Sequence, residues 1–245
     1  MSILGLAAHL PLLTLVLAAA SPSQFETDTL ATSHGDLKIT CIGHGTLMFQ
    51  FGGKVVHVDP VGRYADYTQL PKADLILVTH EHGDHLDKQA IERIWKDDTV
   101  LVLTAKCAEQ VGRGAVMKNG EVKRFQGLQV EAVPAYNVVH QRSPGQPFHP
   151  KGAGNGYVIT FADKRVYVAG DTENVPEIAA LTDIDVAFLP MNLPYTMTPE
   201  MVAQAVRAMK PRIVYPYHFG DTDTGRLVSL LKDMKNVEVR IRKMK

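Results

Sequence analysis

Residues 79–85 are Thr-His-Glu-His-Gly-Asp-His, which places three imidazoles and the Asp84 carboxylate within six positions. In an extended segment His80 and His82 point to the same side, so their nitrogens can bind one metal ion. The following glycine permits a tight turn, after which Asp84 and His85 can reach a second ion. The alternative is a polar loop of solvated histidines. The spacing predicts a site for two transition-metal ions, with Zn²⁺ as the first candidate and Mn²⁺ or Fe²⁺ as alternatives.

The sequence around this segment alternates short β-rich runs with turn signals. The apolar run Leu75–Val78 ends directly at Thr79, which places His80 at the exit of a strand. Hairpin signals dominate the first part of the chain and strand–helix units the last part, which favours two packed sheets with helices outside, an α/β fold. The predicted strands are 37–42, 46–51, 55–58, 75–78, 99–104, 122–125, 128–133, 157–161, 165–169, 186–189, 213–215 and 237–241; the predicted helices are 87–96, 106–111, 175–181, 198–210 and 224–234. Residues 134–156 are predicted to form a long functional loop.

Several motifs resemble those of the metallo-β-lactamase-fold hydrolases, over nearly the whole chain. They are the His-x-His-x-Asp-His segment, Val58-Asp59-Pro60, Ala169-Gly170-Asp171-Thr172 and Pro216-Tyr217-His218. A narrower likeness is to the branch of ascorbate-6-phosphate lactonase-like and N-acylphosphatidylethanolamine phospholipase D-like enzymes. It rests on Gly43-His44-Gly45, Phe188-Leu189-Pro190 and Met197-Thr198-Pro199. The resemblance implies a four-layer αβ/βα sandwich with the metal site at one edge of the two sheets.

The resemblance also implies a ligand set. It makes His80 and His82 ligands of the first metal, and Asp84, His85 and His218 ligands of the second. Asp171 bridges the two ions. Two alternatives need no metal: Asp171 could cap the next helix, and His218 could be a buried core histidine.

The third ligand of the first metal is left open by the sequence. Many relatives supply a histidine where this chain has Asn137, and an amide oxygen is a poor substitute for an imidazole on zinc. His149 and His140 lie downstream in the same predicted loop. We expect His149 to be the ligand, with His140 or an incomplete first site as alternatives.

Other candidate residues surround this set. Asp59 is a candidate hydrogen-bond partner of a ligating histidine, and His44 either lines the pocket or is an ordinary turn residue. A substrate-facing loop is expected to carry Asn192, Tyr195 and Met197. A phosphodiester substrate would require cations near the metals, and the candidates are Arg63, Arg142 and Lys151.

These features predict a zinc-dependent hydrolase in which a metal-bridging hydroxide attacks a lactone, ester or phosphodiester in a small or lipid-like substrate. The expected catalytic residues are Asp84, which ligates a metal and orients the nucleophile, and Asp171. The alternative is a non-catalytic metal-binding or scaffold protein that retains the fold and has an incomplete ligand set.

The charge composition of the chain limits the kinds of partner that it is expected to bind. The chain has 245 residues with 26 basic and 26 acidic side chains, so it has no net field to attract nucleic acid. We therefore expect a small-molecule substrate and no nucleic acid. Its two cysteines, Cys41 and Cys107, are not at metal-ligand spacing and are expected to be buried; in an exported protein they could form a disulfide.

The first 24 residues lack Lys, Arg, Asp and Glu, and the apolar stretch 3–17 precedes Ala-Ala-Ala-Ser-Pro at 18–22. This pattern is typical of a cleaved secretory signal, and the alternative is an apolar tail or an uncleaved anchor. We expect a signal peptide at 1–20, a linker at 21–36 and one hydrolase domain at 37–245. The mature protein would then be periplasmic or secreted, with no stable membrane span.

Overall fold

The computed structural model describes residues 24–244, so the predicted signal peptide at 1–20 lies outside the described residues. Two seven-stranded sheets and five helices make up this part of the chain. The strands of the first sheet, in spatial order, are β1 (Glu26–Thr32), β2 (Gly35–Gly43), β3 (Thr46–Phe51), β4 (Lys54–Val58), β5 (Leu75–Leu77), β6 (Val100–Leu103) and β7 (Ala115–Val116). The second sheet contains β8 (Val122–Phe125), β9 (Leu128–Ala135), β12 (Gly154–Phe161), β13 (Lys164–Val168), β14 (Val186–Pro190), β15 (Ile213–Tyr217) and β16 (Glu238–Val239). Its spatial order is β16-β15-β14-β13-β12-β9-β8. A small hairpin is formed by β10 (Gln141–Ser143) and β11 (Gln146–Pro147), and the helices are α1 (Lys88–Ile94), α2 (Ala105–Val111), α3 (Pro176–Ala179), α4 (Pro199–Met209) and α5 (Thr224–Leu230).

Side-chain alternation along the strands builds four layers. In β15, Tyr215 and Tyr217 face the other sheet, whereas Val214 packs under the helices of the second sheet. In β5, Leu77 faces the inter-sheet core, and Ile76 packs under the helices of the first sheet. The predicted αβ/βα sandwich is therefore confirmed.

The N-terminal linker predicted at 21–36 is wrong for much of its length. Residues Glu26–Thr32 form β1, which pairs antiparallel with β2 through seven residue pairs. Asp28 anchors this edge strand, because its carboxylate accepts hydrogen bonds from Tyr215 Oη at 2.8 Å and Arg242 Nη2 at 2.6 Å. The domain thus begins before residue 37.

The long loop predicted at 134–156 is also more ordered than expected. Its first residues continue β9, its last residues begin β12, and β10 and β11 form a hairpin between them.

Cys41 and Cys107 are buried free thiols, as their apolar role predicts, and burial raises the pKa of the Cys107 thiol to about 11.

The parallel strands bring the candidate site together. Strands β4 and β5 are parallel neighbours, as are β13, β14 and β15, so their carboxyl ends lie at a common edge of each sheet. Asp59, His80, Asp171 and His218 each follow one of these ends. The backbone N–H of His218 donates to the carbonyl of His44 at 3.1 Å, which joins this edge of the two sheets.

Candidate metal centre

Side chains from five separate segments converge at this edge. Three overlapping groups each have ligand atoms that lie within 4.8 Å of one another. The groups are His80, His82 and His149; His80, His85 and Asp171; and His44, Asp84, His85 and His218. Every residue that the sequence predicted as a ligand is in one of these groups.

The first group consists of three imidazoles. His80 Nε2 lies 3.1 Å from His82 Nδ1, and His149 Nε2 lies 3.3 Å from the same atom. His140 takes another direction, because its Nδ1 lies 2.6 Å from a carboxylate oxygen of Glu173. Of the two histidines that the sequence left open, the structure brings His149 to the cluster.

Asp171, a member of the second group, also lies close to residues of the first and third groups. Its Oδ2 is 3.3 Å from His149 Nε2 and 3.4 Å from His218 Nε2, and its Oδ1 is 3.3 Å from His85 Nε2. Asp84 approaches from the cavity side, with Oδ2 3.6 Å from His218 Nε2. The Asp171 carboxylate is thus placed to serve two neighbouring ions with its two oxygens.

Several polar atoms here are buried and lack a hydrogen-bond partner among residues 24–244. They are both ring nitrogens of His218, and His85 Nε2 and Asp171 Oδ1, which are 3.3 Å apart but not at hydrogen-bonding angles. An unsatisfied buried polar group costs about 1–3 kcal/mol, and several are rarely left together without a reason. Nitrogen and carboxylate donors that point into one small volume fit transition-metal ions of the zinc type.

The pKa shifts of the site residues also agree with metal binding. Burial alone would raise the pKa of Asp171, but the neighbouring His218 and His85 imidazoles hold that pKa well below its usual range. Burial, together with the nearby His85, lowers the pKa of His80 well below its ordinary value. Asp171 is therefore anionic and His80 neutral, which are the protonation states of metal ligands.

Asp59 supports the site from beneath. It is fully buried, and its Oδ2 accepts from His85 Nδ1 at 2.7 Å and from Thr79 Oγ1 at 2.6 Å. The hydrogen bond to Nδ1 orients the His85 ring so that Nε2 faces Asp171. The expectation that Asp59 bonds to a site histidine is confirmed.

His44 lies within the site and is not merely a turn residue. Its ring centroid is 3.7 Å from that of His218 and 5.3 Å from that of Tyr64. Its Nε2 lies 3.2 Å from Asp84 Oδ2, so the imidazole can hold this carboxylate in place. Burial lowers the pKa of His44, although its hydrogen bond to Asp84 opposes the shift.

An open cavity of about 460 Å³ leads to the cluster. Arg142 and Phe148 line it from the side of the β10–β11 hairpin, and Asn192 and Tyr195 line it from the loop after β14. Asn192 and Tyr195 thus line the cavity beside the cluster, whereas the expectation that Met197 faces a substrate is wrong. The Met197 side chain is fully buried against the helices of the second sheet, because this apolar side chain gains more by packing there.

Two contributors were missed in the sequence. Asn137 was considered only as a failed ligand, yet its Oδ1 accepts from His149 Nδ1 at 2.7 Å. Glu173 carried no recognisable signal, although it is fully buried two positions after Asp171. Only its proximity in sequence to Asp171 could have drawn attention to it.

Comparisons with known proteins agree with a metal site at this edge of the sheets. The model of the family described as the beta-lactamase superfamily domain matches residues 38–218. The chain belongs to the metallo-β-lactamase-fold, metal-dependent hydrolases. The narrower branch named above stays a prediction.

Individual relatives span most of the chain. A UPF0173 metal-dependent hydrolase from Thermococcus kodakarensis is 32% identical over 196 residues, which cover 75% of this chain and 84% of the relative. A crystal structure from Parabacteroides distasonis, of a protein described as a metal-dependent hydrolase, is 48% identical with a TM-score of 0.86 and covers 90% of this chain and 100% of its own. The diiron β-hydroxylase CmlA from Streptomyces venezuelae shares the fold, with 18% identity and a TM-score of 0.66, and the match covers 85% of this chain and 53% of CmlA. Within residues 24–244, the helices are too short or too polar to span a bilayer.

Proposed function

We propose that this family member is a binuclear hydrolase, with zinc as the first candidate metal. The observation that carries the proposal is the position of Asp171 among histidine-rich groups in which His85 Nε2, Asp171 Oδ1 and both His218 ring nitrogens lack a hydrogen-bond partner among residues 24–244. In this proposal His80, His82 and His149 hold the first ion. Asp84, His85 and His218 hold the second, and Asp171 is shared.

Bound divalent metal ions would supply Lewis acidity and lower the pKa of water towards neutrality. The protein's own residues then have defined tasks. Asp84 is partly exposed on the cavity wall and is held by His44, so its carboxylate can both ligate and orient an attacking water. Asp59 keeps the His85 ring in one orientation during turnover.

The cavity supports a small or lipid-like substrate. Two aromatic side chains, Phe148 and Tyr195, contribute to its lining, and Tyr195 is 45% exposed. Of the three cations considered from the sequence, Arg142 lines the cavity, whereas Lys151 is paired with Glu177 at 2.8 Å. This combination favours a lactone, ester or phosphodiester next to an apolar group. We further propose, from the N-terminal sequence, that the substrate is met outside the cytoplasm.

Imidazole and carboxylate donors suit zinc, and they suit iron as well. The shared fold of CmlA, a diiron enzyme, makes iron the metal to test against zinc. The rival function, a non-catalytic scaffold, would require an incomplete ligand set. His149 beside His80 and His82 supports the enzyme instead.

Metal analysis of the purified protein, followed by a substrate screen, tests the proposal. We expect about two ions per chain, and hydrolysis within a panel of lactones, aryl esters and bis-p-nitrophenyl phosphate. His82→Ala should lower the activity by more than the ~10- to 100-fold typical of removing a ligand's hydrogen-bond partner. His34→Ala, at an exposed histidine on the β1–β2 turn, is the matched control. Absence of bound metal, or activity that survives His82→Ala, would refute the proposal.

A further inference from the structure

Asn137 uses all of its hydrogen-bonding capacity at the edge of the metal centre. Its Nδ2 donates to Glu173 Oε1 at 3.1 Å and to the backbone carbonyl of Tyr195 at 2.9 Å. Its Oδ1 accepts from the backbone N–H and the Nδ1 of His149, at 2.8 and 2.7 Å. Because both Nδ2 partners are pure acceptors, a flipped amide would oppose oxygen to oxygen in a buried place.

These hydrogen bonds fix the orientation of the His149 imidazole and the ring nitrogen that carries its proton. Since Asn137 presents only an oxygen to it, Nδ1 must carry a proton and donate. Nε2 then keeps its lone pair for a metal ion. It lies 3.3 Å from His82 Nδ1, another atom of the first ligand group. The Asn137 amide thus orients a histidine from further along the chain.

Glu173 holds Asn137 and the loop that follows it. Its carboxylate is fully buried and accepts from the backbone N–H groups of Val138, Val139 and His140 at 2.6–2.7 Å. Successive N–H groups that converge on one anion form a nest, which fixes the backbone conformation. The same carboxylate also receives the Asn137 amide.

We propose that Glu173 is a positioning residue for the first metal, acting through Asn137 on His149. The inference rests on the proposed function, because it concerns the affinity of that site. A purely structural role of Glu173 would instead secure the loop and leave metal affinity unchanged. The two roles differ in what they predict for metal binding by a folded variant.

Zinc titration in competition with a chromophoric chelator separates the two roles. Glu173→Gln places an amide N–H against these donors, so one of two zinc sites should weaken by about 10- to 100-fold. The control is Glu177→Gln, since Glu177 bonds to Tyr136 and Lys151 beside the same loop and should leave both affinities unchanged. Circular dichroism must show that both variants are folded. Wild-type zinc affinity in folded Glu173→Gln would overturn the inference and leave the proposed function intact; a wild-type protein that binds no zinc would overturn both.

A measurement on the unmodified protein holds even if Glu173→Gln fails to fold. Nitrogen-15 NMR of the imidazoles, in chelator-treated and zinc-loaded protein, reports which ring nitrogen carries a proton. The His149 signal is assigned by its loss in His149→Gln. We expect a proton on His149 Nδ1 in both samples, and an unprotonated Nδ1 would overturn the inference.

Discussion

Replacing Gly45 by alanine tests whether His85 must lie where the fold holds it. A Cβ at Gly45 would be 2.6 Å from His85 Cε1 and 3.0 Å from its Nδ1. Carbon atoms in contact are usually about 3.5–4.0 Å apart, so the ring must move by about 1 Å. The fully buried ring cannot do this without stretching its 2.7 Å hydrogen bond to Asp59.

We expect Gly45→Ala to lower the free energy of unfolding by about 1–3 kcal/mol, the usual cost of overpacking. The displaced Nε2 should also weaken metal binding at the second ion, and a 1 Å misplacement can cost about 100-fold in activity. Urea denaturation of metal-free protein measures the first effect, and equilibrium dialysis with zinc the second. The matched control is Gly83→Ala in the histidine segment, where an added Cβ meets nothing within 4 Å. A Gly45→Ala protein with wild-type stability and full zinc occupancy would refute the steric reasoning.

Three more outcomes are expected. His149→Ala should lose one metal per chain whereas His140→Ala retains both, measured by metal analysis; the reverse result would make His140 the ligand. Asp59→Asn should weaken zinc affinity by about 10- to 100-fold in competition titrations, and an unchanged affinity would contradict the orienting role of Asp59. Burial alone would raise the pKa of Asp28, but hydrogen bonds from Arg242 and Tyr215 and the nearby arginine charges together outweigh it, and the net pKa is lowered. A carboxyl group with a lowered folded-state pKa stabilises the fold at pH values above its unfolded pKa of about 3.9. This stabilisation is lost as the pH falls through the lower folded-state pKa. Asp28→Asn should therefore be less stable than wild type at neutral pH, with the difference in unfolding free energy vanishing in acid; a pH-independent difference would contradict this.

The sequence predicted the parts of the fold that depend on local pattern. The apolar strand before His80 and the spacing of the histidines carry their own signals, since strand alternation and ligand geometry act over a few residues. Asp171 and His218 could be assigned only through the resemblance. Their approach to His85 depends on how the two sheets pack.

The parts that failed depend on distant contacts. Strand β1 is polar on one face and half-buried on the other, so its pattern resembles a linker, and its anchors lie near the other end of the chain. The choice between His140 and His149 depends on Glu173, which holds one of them away from the cluster. Single-sequence patterns do not show which buried carboxylate a loop will wrap around.

The anchoring of Asp28 by Arg242 has a consequence for biosynthesis, because the two residues are 214 positions apart. Strands β1 and β2 can pair as a hairpin while translation continues, since their contacts are close in sequence. The Arg242 guanidinium is synthesised 214 residues after Asp28, so this contact forms only after the intervening strands have been made. The β1–β2 hairpin can therefore form early, whereas its attachment to Tyr215 of the second sheet and to Arg242 needs contacts of long sequence separation, which form more slowly.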